Sequence, residues 1–238
     1  MTILQRIMEE LNIREMHEIP TALTKVLLDS NSCSALLKSI QPYYSYEALL
    51  AEFEEHSADR KNYMQDYTPQ CVLDIIGGIT SGGDVRDVCA GIGGLSLAKF
   101  KSDNTVTLRL EEYSKNAIAF MLLNLLMANI DAEVVEKNVL TAEEIAYYKV
   151  ESTASGFGQA FKIDRLGSKK YDTVISNPPY SQSWVPQMDE RFEGYKLAPK
   201  SKADFAFILD GLYSLNASGT AAFILSHGVL FRGQAEGD

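Results

Sequence analysis

At 238 residues, 46% apolar and 23% charged, the chain can bury a full α/β core and has the composition of an ordinary soluble globular protein. No apolar run is long enough to span a bilayer, and Met1 to Ile13 carries Glu9 and Glu10 in place of a signal-peptide pattern, so no membrane association and a cytoplasmic location are expected. The net charge of -10 argues against tight unaided binding to nucleic acid, where affinity comes largely from neutralised phosphates.

From Ile3 to about Asn62 the apolar residues fall at helical spacing: Ile3, Ile7 and Leu11, then Leu23, Val26 and Leu27, then Leu36, Leu37 and Ile40. Pro20 and the Gln41-Pro42 step punctuate this region, which reads as three or four helical segments over residues 1–64. Thr68 is expected to cap a helix with Pro69 at its first position, running to the glycines at 77 and 78. Strands and helices then alternate. Val85 to Ala90 reads as a strand, Leu95 to Phe100 as a helix, and Val106 to Leu110 as a strand. Ser114 to Ile130 reads as a helix with Ile118, Met121, Leu122 and Leu125 on one face, and Glu133 to Leu140 as a strand. Ala142 to Tyr148 is expected to be a helix, and 151–170 a loop or hairpin. A strand over Tyr171 to Ser176, an irregular stretch to about Pro199, a helix over Lys202 to Leu215 and a strand over Thr220 to Leu225 complete the series. The alternation predicts an α/β fold with a parallel, doubly wound sheet over residues 65–238. Ala221 to Leu225 should lie at or near an open edge, and the sheet is read as lacking its C-terminal strands.

Cys33, Cys71 and Cys89 are far apart and lack a neighbouring Cys or His at ligand spacing. They predict neither a disulfide framework nor a metal site, and read as small buried or half-buried residues. Charge is uneven. Glu52, Glu54 and Glu55 lie in the acidic first quarter, whereas Lys162 to Lys202 carries Arg165, Lys169, Lys170, Arg191, Lys196 and Lys200. That second stretch is where direct contact with DNA would be sought.

Asp87-Val88-Cys89-Ala90-Gly91-Ile92-Gly93-Gly94 sits at the end of the first strand and opens a helix, where an open α/β sheet binds its ligand. The second strand ends in Glu111-Glu112, and a carboxylate there can accept two hydrogen bonds from the cis hydroxyls of a ribose. A glycine turn followed by an acid fits a nucleoside.

With these residues the chain resembles a class I S-adenosylmethionine-dependent methyltransferase from about Gln65 onward. The resemblance implies that Asp87, Ala90, Gly91 and Gly93 belong to the methionine-binding loop. It implies that Glu112 is the ribose acid, because Asn124-Leu125-Leu126 stands after it at the distance found in adenine methyltransferases of the type I restriction-modification group. Asn138, followed by Val139, resembles the position that hydrogen-bonds the cofactor's adenine, and Tyr67-Thr68-Pro69 resembles the element that contacts its methionine end.

Asn177-Pro178-Pro179-Tyr180 follows a buried strand at its carboxyl end, beside that loop. An exocyclic amino group is a poor nucleophile because its lone pair is delocalised into the ring. If the Asn177 side-chain oxygen and the Pro178 carbonyl accept its two hydrogens, the nitrogen becomes more pyramidal and can attack a sulfonium methyl. The prolines fix the carbonyl inward, and Tyr180 offers a flat face to a flipped base. The tetrapeptide alone names a planar amino acceptor. It also occurs in enzymes that methylate glutamine side chains, so protein-glutamine or RNA methylation, or a non-catalytic interaction module, stand as alternatives. Lys200 to Phe207 and His227 to Gly233 closely resemble the modification subunit of type I restriction systems and imply DNA adenine-N6 methylation. That resemblance also implies a separate specificity subunit and a restriction subunit as partners. Tyr180 stands where that group more often has Phe, Val88-Cys89-Ala90 where a Pro-Ala-Cys-Gly run is usual, and Ser226 where Pro is typical.

Overall fold

The computed structural model describes residues 1–56 and 68–233. Four helices come first: α1 (Ile3–Leu11), α2 (Ile19–Leu27), α3 (Ser30–Ile40) and α4 (Tyr46–His56). The Thr2 hydroxyl accepts from Gln5 N to cap α1, and the Asp29 carboxylate accepts from Ser32 N to cap α3. Pro20 lies in the first turn of α2, where its missing N–H costs nothing, and Pro42 sits in a short 3-10 turn after α3. The boundary expected at residue 64, and Tyr67, lie outside the described residues.

After α5 (Gln70–Ile79) come β1 (Asp84–Val88), α6 (Gly94–Ser102), β2 (Thr107–Glu112), α7 (Lys115–Ala128), β3 (Ala132–Asn138), β4 (Glu143–Glu151), β5 (Gln159–Ile163), β6 (Tyr171–Ser176), α8 (Asp204–Tyr213) and β7 (Leu215–Phe223). They build a seven-stranded sheet of order β5-β4-β3-β2-β1-β6-β7. The β1, β2, β3, β6 and β7 pairings are parallel, while β4 and β5 run antiparallel. Strand order reverses between β1 and β6, so the crevice beyond their carboxyl ends is the switch point of the sheet. β7 forms the edge expected near residues 221–225.

Two sequence-based expectations need correction here. Residues 142–148 are not helical: Ala146, Tyr148 and Val150 are buried while Ile145 and Lys149 are not, a period of two. Pairing with β3 overrides the helix preference of Ala142, Glu143 and Glu144. Cys71, expected to be at least half-buried, is exposed on α5, whereas Cys33 is buried and Cys89 intermediate.

α7 is the centre of the molecule. Ala117 to Leu126 are all buried, because the helix lies between the sheet and the N-terminal helices, with α2 packed along it. Phe53 of α4 meets Phe120 edge-on at 5.0 Å. The N-terminal helices and the sheet therefore share one hydrophobic cluster through this helix. A second cluster of Trp184, Phe192, Ala203, Ala206 and Phe207 with Val174 joins α8 and the irregular segment before it to the sheet.

Candidate active site

A cavity of about 470 Å³ opens beyond the carboxyl ends of β1, β2, β3 and β6. Its floor is the turn after β1. Cys89, Gly91 and Gly93 all have positive φ there, at 58°, 58° and 92°. A Cβ on Gly91 would meet nothing within 4 Å, so the requirement at that position is the left-handed backbone. Ala90 N donates to Glu111 O at 3.0 Å and pins the turn to β2.

The period of two along β2 separates its two terminal acids. Glu111 shares a face with Arg86 on β1, which pairs with it through Nε at 3.0 Å and Nη2 at 2.6 Å. Arg86 Nη2 also lies 2.8 Å from Asp210 Oδ2 of α8, and Lys137 Nζ 3.3 Å from Glu111 Oε2. Burial alone would push the Glu111 carboxyl up, but Arg86 and then Lys137 hold it down at about 2. Among the described residues Glu112 has no such cation. Oε2 accepts from Gly91 N, and Oε1 from Tyr113 N and Ser114 N, each at 2.8 Å. Burial raises the Glu112 carboxyl, opposed by these three backbone donors. A carboxylate has about four acceptor positions, so one is left for a ribose hydroxyl where two bonds were expected. Glu136, the register partner of Glu112 on β3, lines the same cavity. Its Oε1 has no hydrogen-bond partner among the described residues, Lys115 Nζ being 3.6 Å away.

Asp87 lies behind the turn, fully buried. Its Oδ2 accepts from Ser96 N at 3.1 Å and Ser96 Oγ at 2.7 Å, and Oδ1 has no partner among the described residues. Burial raises this carboxyl to about 7 in spite of the two Ser96 bonds. Asp87 and Gly93 thus support the turn from behind, whereas Ala90, Gly91, Glu112, Asn138 and Val139 line the cavity. Asn138 Oδ1 accepts from Leu140 N at 3.1 Å and Thr141 N at 3.3 Å, which turns its amide nitrogen into the donor end.

Asn177, Pro178, Pro179 and Tyr180 line the same cavity. Ser176 Oγ donates to Val88 O at 2.6 Å and ties the end of β6 to β1 just before the tetrapeptide. Asn177 Nδ2 donates to Thr68 Oγ1 at 3.0 Å, and Tyr180 Oη donates to Asn177 Oδ1 at 3.0 Å. Thr68 therefore does not cap α5 as expected. Pro69 stands at the cap position, its carbonyl accepting from Val72 N and Leu73 N, and the Thr68 side chain faces Asn177. Asp204 Oδ1 accepts from Ser181 N at 3.2 Å and its Oδ2 from Arg232 Nη1 at 3.0 Å. One buried carboxylate thus joins the loop after Tyr180 to both downstream stretches that resemble type I modification subunits.

Sequence reasoning missed Tyr46, Tyr113, Glu136, Ile145 and Phe207, all of which line the cavity. Tyr46 reaches it from the N-terminal helices, its hydroxyl so close to Gly94 that a Cβ there would stand 2.2 Å away. No local signal marks that contact. The basic stretch is divided. Lys169 pairs with Asp84 at 2.8 Å and Lys170 donates to Tyr213 O, both beside the amino end of β6 and so opposite Asn177. Lys196, Lys200 and Lys202 lie in the segment that follows Tyr180.

The model of the N-6 DNA methylase family matches residues 44–238. The chain belongs to the N-6 DNA methylase family. It is 30% identical over 209 residues to the methylase subunit of the type I restriction enzyme MpnII of Mycoplasma pneumoniae, a match that covers 79% of this chain and 36% of that protein. The N-6 methylase chain thus spans little more than a third of the curated relative's length. Its fold is that of a solved structure from Listeria monocytogenes described as a class I S-adenosylmethionine-dependent methyltransferase, with a TM-score of 0.57 at 15% identity, covering 98% of this chain and 72% of that one. It shares the family of the first and the fold of the second. Among its described residues no helix is long and apolar enough to cross a membrane, and no three His, Cys, Asp or Glu side chains group as metal ligands.

Proposed function

We propose that this chain carries the cofactor and base sites of a DNA adenine-N6 methyltransferase of a type I restriction-modification system, acting in the cytoplasm. A specificity subunit supplies target recognition and a restriction subunit is a further partner. The observation that carries the reading is that Asn177 to Tyr180 and the Glu112 carboxylate face one cavity at the switch point.

The donor set suits S-adenosylmethionine. Glu112 offers its remaining acceptor position to a ribose hydroxyl and Glu136 offers another beside it, while Asn138 Nδ2 presents a donor to an adenine ring nitrogen. The Asp87 carboxyl, with one oxygen unpartnered among the described residues behind the glycine turn, would ionise as the cofactor's positive charge approaches. When bound, S-adenosylmethionine supplies an electrophilic methyl on a cationic sulfur. The chain's residues prepare the acceptor. Asn177 Oδ1 and the Pro178 carbonyl accept the two hydrogens of the flipped adenine's amino group, and Tyr180 stacks on the base with its ring angle set by its hydroxyl bond to Asn177. Lys196, Lys200 and Lys202 meet the DNA backbone, in a chain otherwise too acidic to hold duplex alone.

The test is methyl transfer from labelled cofactor by the full-length protein copurified with its neighbouring subunits, offered duplex DNA and a release-factor protein in parallel. DNA is expected to gain label, and Asn177→Ala to abolish transfer while cofactor affinity stays within a few-fold. Label in the protein substrate, or near-normal turnover by Asn177→Ala, overturns the reading.

A further inference from the structure

The Asn177 amide can serve the reaction in only one of its two orientations. Its oxygen must face the amino group, because a –NH2 end there would set donor against donor. The structure brings two hydroxyls to the amide, Thr68 Oγ1 at 3.0 Å from Nδ2 and Tyr180 Oη at 3.0 Å from Oδ1. Two hydroxyls alone do not decide the orientation, since each can donate or accept. Thr68 stands just before α5 and, like Tyr180, lines the cavity, but it is the hydroxyl that meets the nitrogen end of the amide. If its hydrogen is donated to an anionic group in that cavity, only its lone pairs remain for Asn177, and the amide must turn its nitrogen to Thr68 and its oxygen away.

We propose that Thr68 is a positioning residue that fixes the orientation of the Asn177 amide, and that filling the cofactor cavity locks it. This rests on the reading of Asn177 as the acceptor for the amino hydrogens. It gives the element before α5 a second task besides contact with the cofactor. It also makes competence for transfer depend on cofactor already in place.

Thr68→Val keeps the side-chain shape and removes the hydroxyl, and Thr68→Ser restores it. In the full-length protein with its subunits, at saturating cofactor and DNA, Thr68→Val is expected to lower the single-turnover transfer rate about 10- to 100-fold, as a misplaced group does. Thr68→Ser should stay within about threefold of the parent, because saturation removes any effect on affinity.

A second readout is independent of turnover. In the chain labelled with ¹⁵N, the Asn177 side-chain amide protons, identified by their loss in Asn177→Ala, should exchange more slowly once S-adenosylhomocysteine is added. That slowing should persist in Thr68→Ser and vanish in Thr68→Val. If Asn177→Ala is inactive but Thr68→Val transfers at the parent rate and keeps the protected amide, the positioning role is wrong and the function stands. If Asn177→Ala transfers normally, the function reading fails, and the amide protection then tells whether Thr68 holds Asn177 at all.

Discussion

Asn124, fully buried in α7, donates from Nδ2 to the carbonyl of Ile92 at 2.8 Å, so the central helix holds the turn that floors the cavity. The same side chain accepts at Oδ1 from the Tyr44 hydroxyl at 2.7 Å, which joins the N-terminal helical region to that turn. Replacing Asn124 with Leu keeps the number and branching of its side-chain heavy atoms but leaves the Ile92 carbonyl and the half-buried Tyr44 hydroxyl without that partner. Each stranded group costs about 1–3 kcal/mol. Asn124→Leu is therefore expected to lower the urea midpoint clearly and to weaken S-adenosylmethionine binding in calorimetry. Tyr44→Phe should lose stability with a smaller change in affinity, because Ile92 keeps its donor. A parent-like affinity in Asn124→Leu would show that the turn holds its shape without α7.

The two acids that end β2 should separate stability from binding. Glu111→Gln strands Arg86 in a buried site where Asp210 is its remaining anion, and a loss of about 3 kcal/mol is expected, the low end for breaking a buried pair. Its folded carboxyl lies at about 2, below the roughly 4.3 of an unfolded glutamate. The parent's contribution is therefore complete above about 4 and is lost as pH falls through 2, a loss that Glu111→Gln does not show. Glu112→Gln should do the reverse. Burial already disfavours its charge, so stability should hold or rise slightly while cofactor affinity drops more than about tenfold. Denaturation and calorimetry on both variants decide this, and equal losses of affinity would refute the division of labour.

Much of this site is legible in the sequence, for a stated physical reason. The glycine turn, the acids after β2 and the tetrapeptide after β6 are local signals whose meaning follows from their order along alternating strands. What separates Glu111 from Glu112 is also local, the two-residue period of a strand, but its consequence needs Arg86 and Asp210 to be known as neighbours across the sheet and on α8. Buried charges within strands carry no sequence signature until their partners are placed. The expected helix over 142–148, which is the first part of the β4–β5 hairpin, fails for a related reason. Ala142, Glu143 and Glu144 favour a helix in isolation, and only pairing to β3 makes the alternation of Ala146, Tyr148 and Val150 decisive. Tyr46 and the bond from Asn177 to Thr68 are illegible because they depend on contacts across 48 and 109 residues, Gly94 for the first and Asn177 for the second, although Thr68 itself is expected at the site.

Asp87 gives a pH dependence of opposite sign. Its folded carboxyl is raised to about 7 by burial, against roughly 3.9 unfolded, so the folded chain holds a proton that the unfolded chain has released. The stability linked to this group is complete below about 4 and is lost as pH rises through 7. The cofactor-free chain is expected to show a lower urea midpoint at pH 8 than at pH 5. Asp87→Asn, which cannot ionise, should reduce that difference by an amount on the order of 1–3 kcal/mol. An unchanged difference in the variant would assign the titration to another group. S-adenosylmethionine, which brings positive charge beside the turn, should also narrow the difference in the parent by favouring the ionised carboxylate.

Asp204 offers the most direct test of why the downstream stretches accompany the tetrapeptide Asn177 to Tyr180. Its side chain is entirely buried, with one oxygen on Ser181 N and the other on Arg232 Nη1, so it clamps the backbone next to Tyr180. Ser181 has φ of 51°, a left-handed conformation that a non-glycine residue holds only when its surroundings enforce it. Asp204→Asn keeps an acceptor for Ser181 but removes the charge facing Arg232, whereas Asp204→Ala removes both bonds. Asp204→Ala is therefore expected to lower stability by about 3 kcal/mol, the low end for breaking a buried pair, and to reduce methyl transfer by more than that loss of folded protein explains. Arg232→Met leaves the Ser181 bond in place and should cost stability with a smaller effect on transfer at saturating substrates. Single-turnover rates corrected for folded fraction separate the two effects. If Arg232→Met slows transfer as much as Asp204→Ala does, the Ser181 bond is not what holds the loop.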